Sequence, residues 1–196
     1  MKIYVIKIAV RGVSPMVWRR LRIAADTSLA ALHFIFQIVQ GWGDDYLHQF
    51  HIYGKDYGIS YDGGIGFPDN PFRTVIDDFS FDVSDRFTYE YNFFDHWLHD
   101  VRVEAIHEDS TLKTPFCISG HGMHGVTPED ETDKTLAFLE AIVNADDTAT
   151  VGDIRAFVDD LDAVRFNRNK INRQLSKLDL VAPALEPEVI WLGRRH

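Results

Sequence analysis

The apolar positions of the first forty residues change period once, and the change marks the passage from strands to a helix. Residues 1–11 and 17–24 are rich in β-branched side chains, and Gly12 to Pro15 between them supply turn chemistry, so the two segments are read as a hairpin. Alternation places Val17, Arg19, Leu21 and Ile23 on one face of the second strand and Trp18, Arg20 and Arg22 on the other, which makes the second face the wetter one. From Leu29 onward the spacing becomes helical through Leu32, Phe36 and Val39. Asp26, Thr27 and Ser28 offer an N-cap, and Gly41 is placed to end the helix.

Strand-like alternation returns at residues 47–53, and residues 57–71, rich in Gly, Asp and Pro, are expected to form an exposed loop or a short hairpin. Phe87, Tyr89, Tyr91 and Phe93 share one face of the next strand. A break at residues 94–96 precedes another, in which Trp97, His99, Val101, Val103 and Ala105 alternate with Leu98, Asp100, Arg102 and Glu104. Those two strands are expected to pair antiparallel, with His99 facing the core and Trp42 and Trp97 as core tryptophans. The glycine-rich stretch 114–127 reads as a loop, and Thr127 caps a helix starting at Pro128. Residues 151–161 and 167–178 are further helix candidates. The pattern describes one α+β domain over residues 1–180, followed by a tail or edge segment over 181–196, with no internal repeat.

Length and charge narrow the function. A chain of 196 residues buries enough surface to fold without disulfides or metals. Its single cysteine, Cys117, forms no intrachain disulfide and points to the cytoplasm. Residues 29–39, the most apolar helical stretch, contain His33 and Gln37 and are too short to span a membrane. The net charge of −10 argues against generic nucleic-acid binding. Its distribution is uneven, with +5 over residues 1–40 and +4 over 165–196, leaving −19 between them. Chance and solvated strand faces account for such clustering; the sharper reading is that the two ends meet in a cationic patch.

Nine histidines raise the question of metal binding. On strands, His48 and His51, or His96 and His99, three apart, fall on opposite faces, so neither pair is a ready chelate. The grouping left standing is His99, with Asp100 beside it, Cys117, His121 and His124, brought together if the glycine-rich loop folds back over the strand end. The bland alternative for His99 is a hydrogen-bonded core histidine. No Gly-x-Ser-x-Gly elbow occurs, Cys117 has no basic neighbour in sequence, and Gly63, Gly64 and Gly66 do not form a phosphate loop. Paired acids such as Asp44 with Asp45 or Asp77 with Asp78 read as solvated loops or helix starts.

The run Pro15 to Arg20, Leu32-His33, Gly41-Trp42 and Leu47-His48-Gln49-Phe50 resembles the opening of the plasmid pRiA ORF-3-like family. Tyr89-Glu90-Tyr91-Asn92-Phe93 with Asp95, Trp97 and His99, then Pro115, Cys117, Gly120 and Pro128-Glu129-Asp130, resemble its later segments, over roughly residues 3–180 in all. Asn92, Phe94 and Gly125-Val126 depart from the Asp, Gly and Cys-Pro that are typical there. The resemblance implies a curved, largely antiparallel sheet with helices packed on it, and an association with mobile elements. It does not bring recombinase chemistry, because no activated serine stands among the arginines near Ser14 and the last tyrosine is Tyr91.

Two functional expectations follow. The first is a binding or accessory domain, not an enzyme and needing no cofactor. It would engage an acidic protein or nucleic acid through the basic amino-terminal segment, with Trp18, Arg19, Arg20, Arg22, Asp95, Trp97 and His99 as binding residues. The second is a hydrolase or nuclease dependent on one divalent metal such as zinc, held near residues 95–100 by His99, Asp100, Cys117 and His121.

Overall fold

Residues 1–61, 63–122 and 165–178 are described by the computed structural model. The predicted hairpin forms from β1 (Lys2–Val10) and β2 (Trp18–Ala24), paired antiparallel from Ile3 opposite Ala24 to Ala9 opposite Trp18. Helix α1 (Leu29–Gln40) follows, and both of its ends obey the sequence signals. The Ser28 hydroxyl accepts the Ala31 amide hydrogen at 3.1 Å, and Gly41 closes the helix in the left-handed conformation at φ 85°, which only a residue without Cβ adopts cheaply.

Strand β3 (His48–Ile52) turns through Tyr53 and Gly54, both at positive φ, into β4 (Lys55–Tyr57). That geometry suits the twist of a two-residue hairpin loop. Strands β5 (Arg86–Tyr91) and β6 (Trp97–Glu108) pair antiparallel on either side of the expected break. There Asn92 and His96 take positive φ and the Asn92 side chain bonds Asp95 and the Phe94 amide. The glycine-rich stretch expected to be a loop instead contributes strand β7 (Phe116–His121), which pairs with the free edge of β2. Phe116, Cys117 and Ile118 give it strand propensity. Gly120 lets it approach: a Cβ there would lie 2.7 Å from the Phe166 ring and 2.8 Å from the Trp18 carbonyl oxygen. The expected helices at 128 and at 151–161, and the tail at 181–196, lie outside the described residues. The expected helix over 167–178 is present as α2 (Arg168–Leu175).

The strands form one open antiparallel sheet in the order β4-β3-β5-β6-β1-β2-β7. On one face Leu32, Phe36 and Val39 of α1 and Ile171 and Leu175 of α2 close over Ile6, Ile8, Leu21, Phe50, Tyr89 and Val101. Full burial of each large apolar side chain contributes about 1.5–3 kcal/mol. The opposite face carries Lys7, Arg20, Arg22, Arg102 and Glu104 beside the buried Ile3 and Val5 of β1, and the antiparallel sheet, with both described helices packed on its other side, is the α+β arrangement the sequence reading expects. No helix among the described residues is long and apolar enough to cross a membrane.

Candidate functional site

The two faces of the sheet hold different chemistry. Under the carboxy-terminal half of α1, five polar side chains from four segments meet in the core. His33 and Gln37 lie one helical turn apart on α1, Asp44 sits in the loop after it at φ 60°, His48 opens β3, and Tyr89 is on β5. Their hydrogen bonds close a ring. Gln37 Nε2 donates to Tyr89 Oη at 2.9 Å, which leaves the phenol proton for His33 Nδ1, also at 2.9 Å. His33 is thereby assigned the tautomer with its proton on Nε2, which donates to Asp44 Oδ1 at 2.8 Å. The Asp44 backbone amide returns the chain to Gln37 Oε1 at 2.9 Å.

His48 is outside this ring. Its imidazole stacks on that of His33, with centroids 3.5 Å apart and planes 11° from parallel. Its Nε2 lies 3.5 Å from the Ile59 amide nitrogen, and its buried Nδ1 has no partner among the described residues. Burial holds His33 down to about 3 and His48 well below the usual imidazole range, where the neighbouring His33 charge adds to the effect and Asp44 opposes it. Both rings are therefore neutral at neutral pH. Burial pushes the Asp44 carboxyl up, with His48 opposing, although its side chain keeps 30% of its surface exposed. One ligand atom from each of His33, Asp44 and His48 lies within 4.8 Å of the others, and this is the grouping of metal-ligand type among the described residues.

On the outer face, strand register aligns cations. Arg86 of β5 stands opposite Arg102 of β6, Arg102 opposite Lys7 of β1, and Lys7 opposite Arg20 of β2. Four cations thus form a row across three strand spacings, about 14 Å. Like charges directly opposed on a sheet are destabilising. Arg20 is offset by a two-pronged contact with Glu104, and Arg102 donates to the Ser84 hydroxyl at 3.2 Å. Lys7, Arg86 and Arg102 form no ion pair among the described residues, nor does Arg22 in the next row, whose guanidinium lies over the Phe116 ring. Asp100 on the same face is paired with Arg11.

The residues expected to bind divide between these faces. Trp18, Arg20 and Arg22 share the outer face as alternation required. Arg19 points the other way and is fully buried, donating to the Val39, Trp18 and His121 carbonyl oxygens. Asp95 accepts from Asn92 in the β5–β6 turn, and Trp97 is buried against Trp42 and Tyr91. His99 is fully buried, with Nδ1 3.1 Å from the Tyr89 carbonyl oxygen, the core placement expected of it.

The structure does not bring His99, Asp100, Cys117 and His121 together. His99 and Asp100 occupy opposite faces of β6, and β7, which carries Cys117 and His121, lies three strand spacings away, about 14 Å. Burial raises the Cys117 thiol to about 11, so it is not a ready thiolate. His121 is exposed beside the Met16 carbonyl oxygen, and His124 lies outside the described residues. Sequence reasoning missed the grouping of His33, Asp44 and His48. The signal available was the family-like run itself, which contains Leu32-His33 and Leu47-His48, with His33 and Gln37 one turn apart in an otherwise apolar helix.

Comparison with known proteins agrees with the motif pattern. The model of the plasmid pRiA4b ORF-3-like protein family matches residues 2–174. An uncharacterised protein, y4hQ, of Sinorhizobium fredii is 25% identical over 126 residues, a match that spans 64% of this chain and 64% of that relative's length. A crystal structure of a protein of unknown function from Methanosarcina mazei Go1 is 26% identical with a TM-score of 0.58, covering 76% of this chain and 91% of the other.

Proposed function

We propose, from the premise that the chain belongs to the plasmid pRiA4b ORF-3-like family, that it is a binding domain without catalysis of its own, engaging an anionic partner on the outer face of its sheet. The observation that carries this reading is the aligned row of Arg86, Arg102, Lys7 and Arg20. Each like-charged pair in that row costs a few tenths of a kcal/mol to about 1 kcal/mol. Glu104, near Arg20, Lys7 and Arg102, and Asp100, near Arg86, offset the row only in part, and a local rule broken with incomplete compensation inside the fold is characteristic of a functional surface. An anionic partner supplies the missing compensation, and Trp18 and Phe116 beside the row add apolar contact area.

The favoured partner is an acidic segment of another protein. A chain of net charge −10 repels a long polyanion such as nucleic acid over the whole molecule, whereas a short acidic segment needs to meet only the row. Fluorescence anisotropy with a labelled polyglutamate peptide and a labelled single-stranded oligonucleotide, each titrated over a range of salt, separates the cases. Salt-sensitive binding of the peptide, weakened about tenfold or more by Arg86→Ala with Arg102→Ala, is the expected result. Both residues are exposed, so the double variant is expected to fold. Absence of salt-sensitive binding to either probe ends the reading, and binding of the oligonucleotide alone replaces the partner.

A further inference from the structure

We propose that His33, Asp44 and His48 form a binding site for one divalent transition-metal ion. The reading is independent of the outer face, because these side chains lie in the core on the opposite side of the sheet.

The donor set fits such an ion. Two imidazoles and a carboxylate suit zinc and the neighbouring first-row metals, whose affinity for nitrogen and oxygen ligands exceeds that of magnesium or calcium. The three groups are already gathered, with one ligand atom of each within 4.8 Å of the others, and His33 Nε2 and Asp44 Oδ1 are 2.8 Å apart across a single proton. A cation taking that proton's place, with the imidazole keeping its one proton on Nδ1 instead, would be held by both atoms.

Buried polar groups are normally hydrogen-bonded, so an exception needs a cause. His48 is 1% exposed and neither of its neutral tautomers satisfies both ring nitrogens. With the proton on Nδ1, a buried N–H has no acceptor among the described residues; with the proton on Nε2, two N–H groups face each other at the 3.5 Å contact with Ile59. A metal ion bound at Nδ1 turns the orphan atom into a ligand.

The surroundings also provide what a metal site needs. A ligating histidine commonly donates its second ring N–H to an outer partner; with an ion on Nε2 the His33 proton moves to Nδ1, and the bond to Tyr89 reverses so that Tyr89 Oη accepts it. Asp44, at 30% side-chain exposure, gives the site its opening to solvent. The imidazoles lie face to face, so chelation requires one ring to turn out of the stack. His33 is held by hydrogen bonds at both nitrogens, whereas His48 has one hydrogen-bond contact, at 3.5 Å, and is the ring less restrained from turning.

The test uses the full chain purified without a histidine tag. Elemental analysis by mass spectrometry reads the metal carried through purification, and titration of the chelator-treated protein with Co²⁺ reads ligand-field absorption bands that report the ligands directly. About one equivalent of metal per chain is expected, with the cobalt bands lost in His48→Gln and in Asp44→Asn and retained in His99→Gln. Asp44 is partly exposed, so Asp44→Asn keeps the test decisive if His48→Gln fails to fold. No stoichiometric binding of Co²⁺ or Zn²⁺ by the wild-type chain overturns the proposal, as does binding that survives both substitutions. Neither result bears on the anionic-partner reading, which the salt titrations test separately.

Discussion

Lys7 and Arg20 face each other across β1 and β2 and share one aromatic ring, the Lys7 ammonium 5.0 Å and the Arg20 guanidinium 5.1 Å from the centroid of Trp18. The negative face of the indole attracts both cations where they would otherwise only repel each other. Trp18→Leu keeps an apolar, half-buried side chain and removes the ring face. The substitution is expected to cost about 1–2 kcal/mol, from two cation–π contacts at about 0.5–1 kcal/mol each. A urea midpoint unchanged from wild type would show that the indole does not offset the paired charges.

Glu104 makes the opposite adjustment, because it is the carboxylate that neutralises Arg20. Its hydrogen bonds to Arg20 hold its carboxyl below the usual glutamate value of 4.5. That stabilisation is present at neutral pH and is lost as pH falls below 4.5 through the lowered folded-state value. Both side chains remain partly exposed, so the pair contributes only about 1 kcal/mol. Glu104→Gln is expected to lower stability by about that amount while tightening polyglutamate binding, since it releases a fourth cation into the row. Weaker binding in this variant would place the partner elsewhere.

Much of this fold is legible in the sequence because the signals are local. Ser28 and Gly41 bracket α1 by chemistry any sequence displays, and alternation assigns Trp18 and Arg20 to one face of β2 and Arg19 to the other. The same alternation contained the warning that Arg19, aligned with Leu21 and Ile23, belongs inside. The site residues were hidden for a different reason. Arg86 and Arg102 meet Lys7 because β1 lies between β6 and β2, and strand order is not a property of any one segment. His33 meets His48 because β3 passes beneath α1 beside β5. Strand β7 is obscured by Gly120 and the glycines that follow it in sequence, which suggest a loop until the close approach of Gly120 to Trp18 and Phe166 is seen.

His99 sets a pH limit on stability. Burial holds its imidazole down to about 4, below the ordinary value of 6.5, although the hydrogen bond to the Tyr89 carbonyl oxygen works the other way. The neutral form is the one the fold accepts, so its contribution is complete above pH 6.5 and is lost as pH falls through 6.5 to about 4, where the unfolded chain takes up the proton first. The interval corresponds to about 3 kcal/mol. Denaturation midpoints followed from pH 7 to pH 4 are expected to fall, and to fall less steeply in His99→Gln. Parallel pH dependence in the two proteins would assign the loss to other groups.

Arg19 is expected to matter to folding before it matters to any partner. Its Nε donates to the Val39 carbonyl oxygen at 2.8 Å, in the last turn of α1, where helical carbonyls lack partners within the helix. Its Nη1 donates to Trp18 on β2 at 2.9 Å and to His121 at the end of β7 at 2.7 Å, while the guanidinium lies 4.9 Å from the Phe166 ring centroid. One side chain therefore ties the helix end, two strands and the segment leading into α2. Burial lowers its pKa to about 10, so it remains charged at neutral pH. Arg19→Met keeps the apolar stem and leaves these carbonyl groups without their donor, at about 1–3 kcal/mol for each one that stays buried. The expected loss is about 3 kcal/mol or more. Arg19→Lys is expected to recover little of it, because an ammonium lacks the planar fork that reaches carbonyls in different directions. Urea denaturation of both variants beside Arg86→Ala with Arg102→Ala gives opposite expectations: the Arg19 variants lose stability, and the double variant, which removes two like-charged pairs, keeps or gains stability and loses the anionic probe. Wild-type stability in Arg19→Met would mean that water reaches these carbonyl groups and that the arginine is dispensable to the fold.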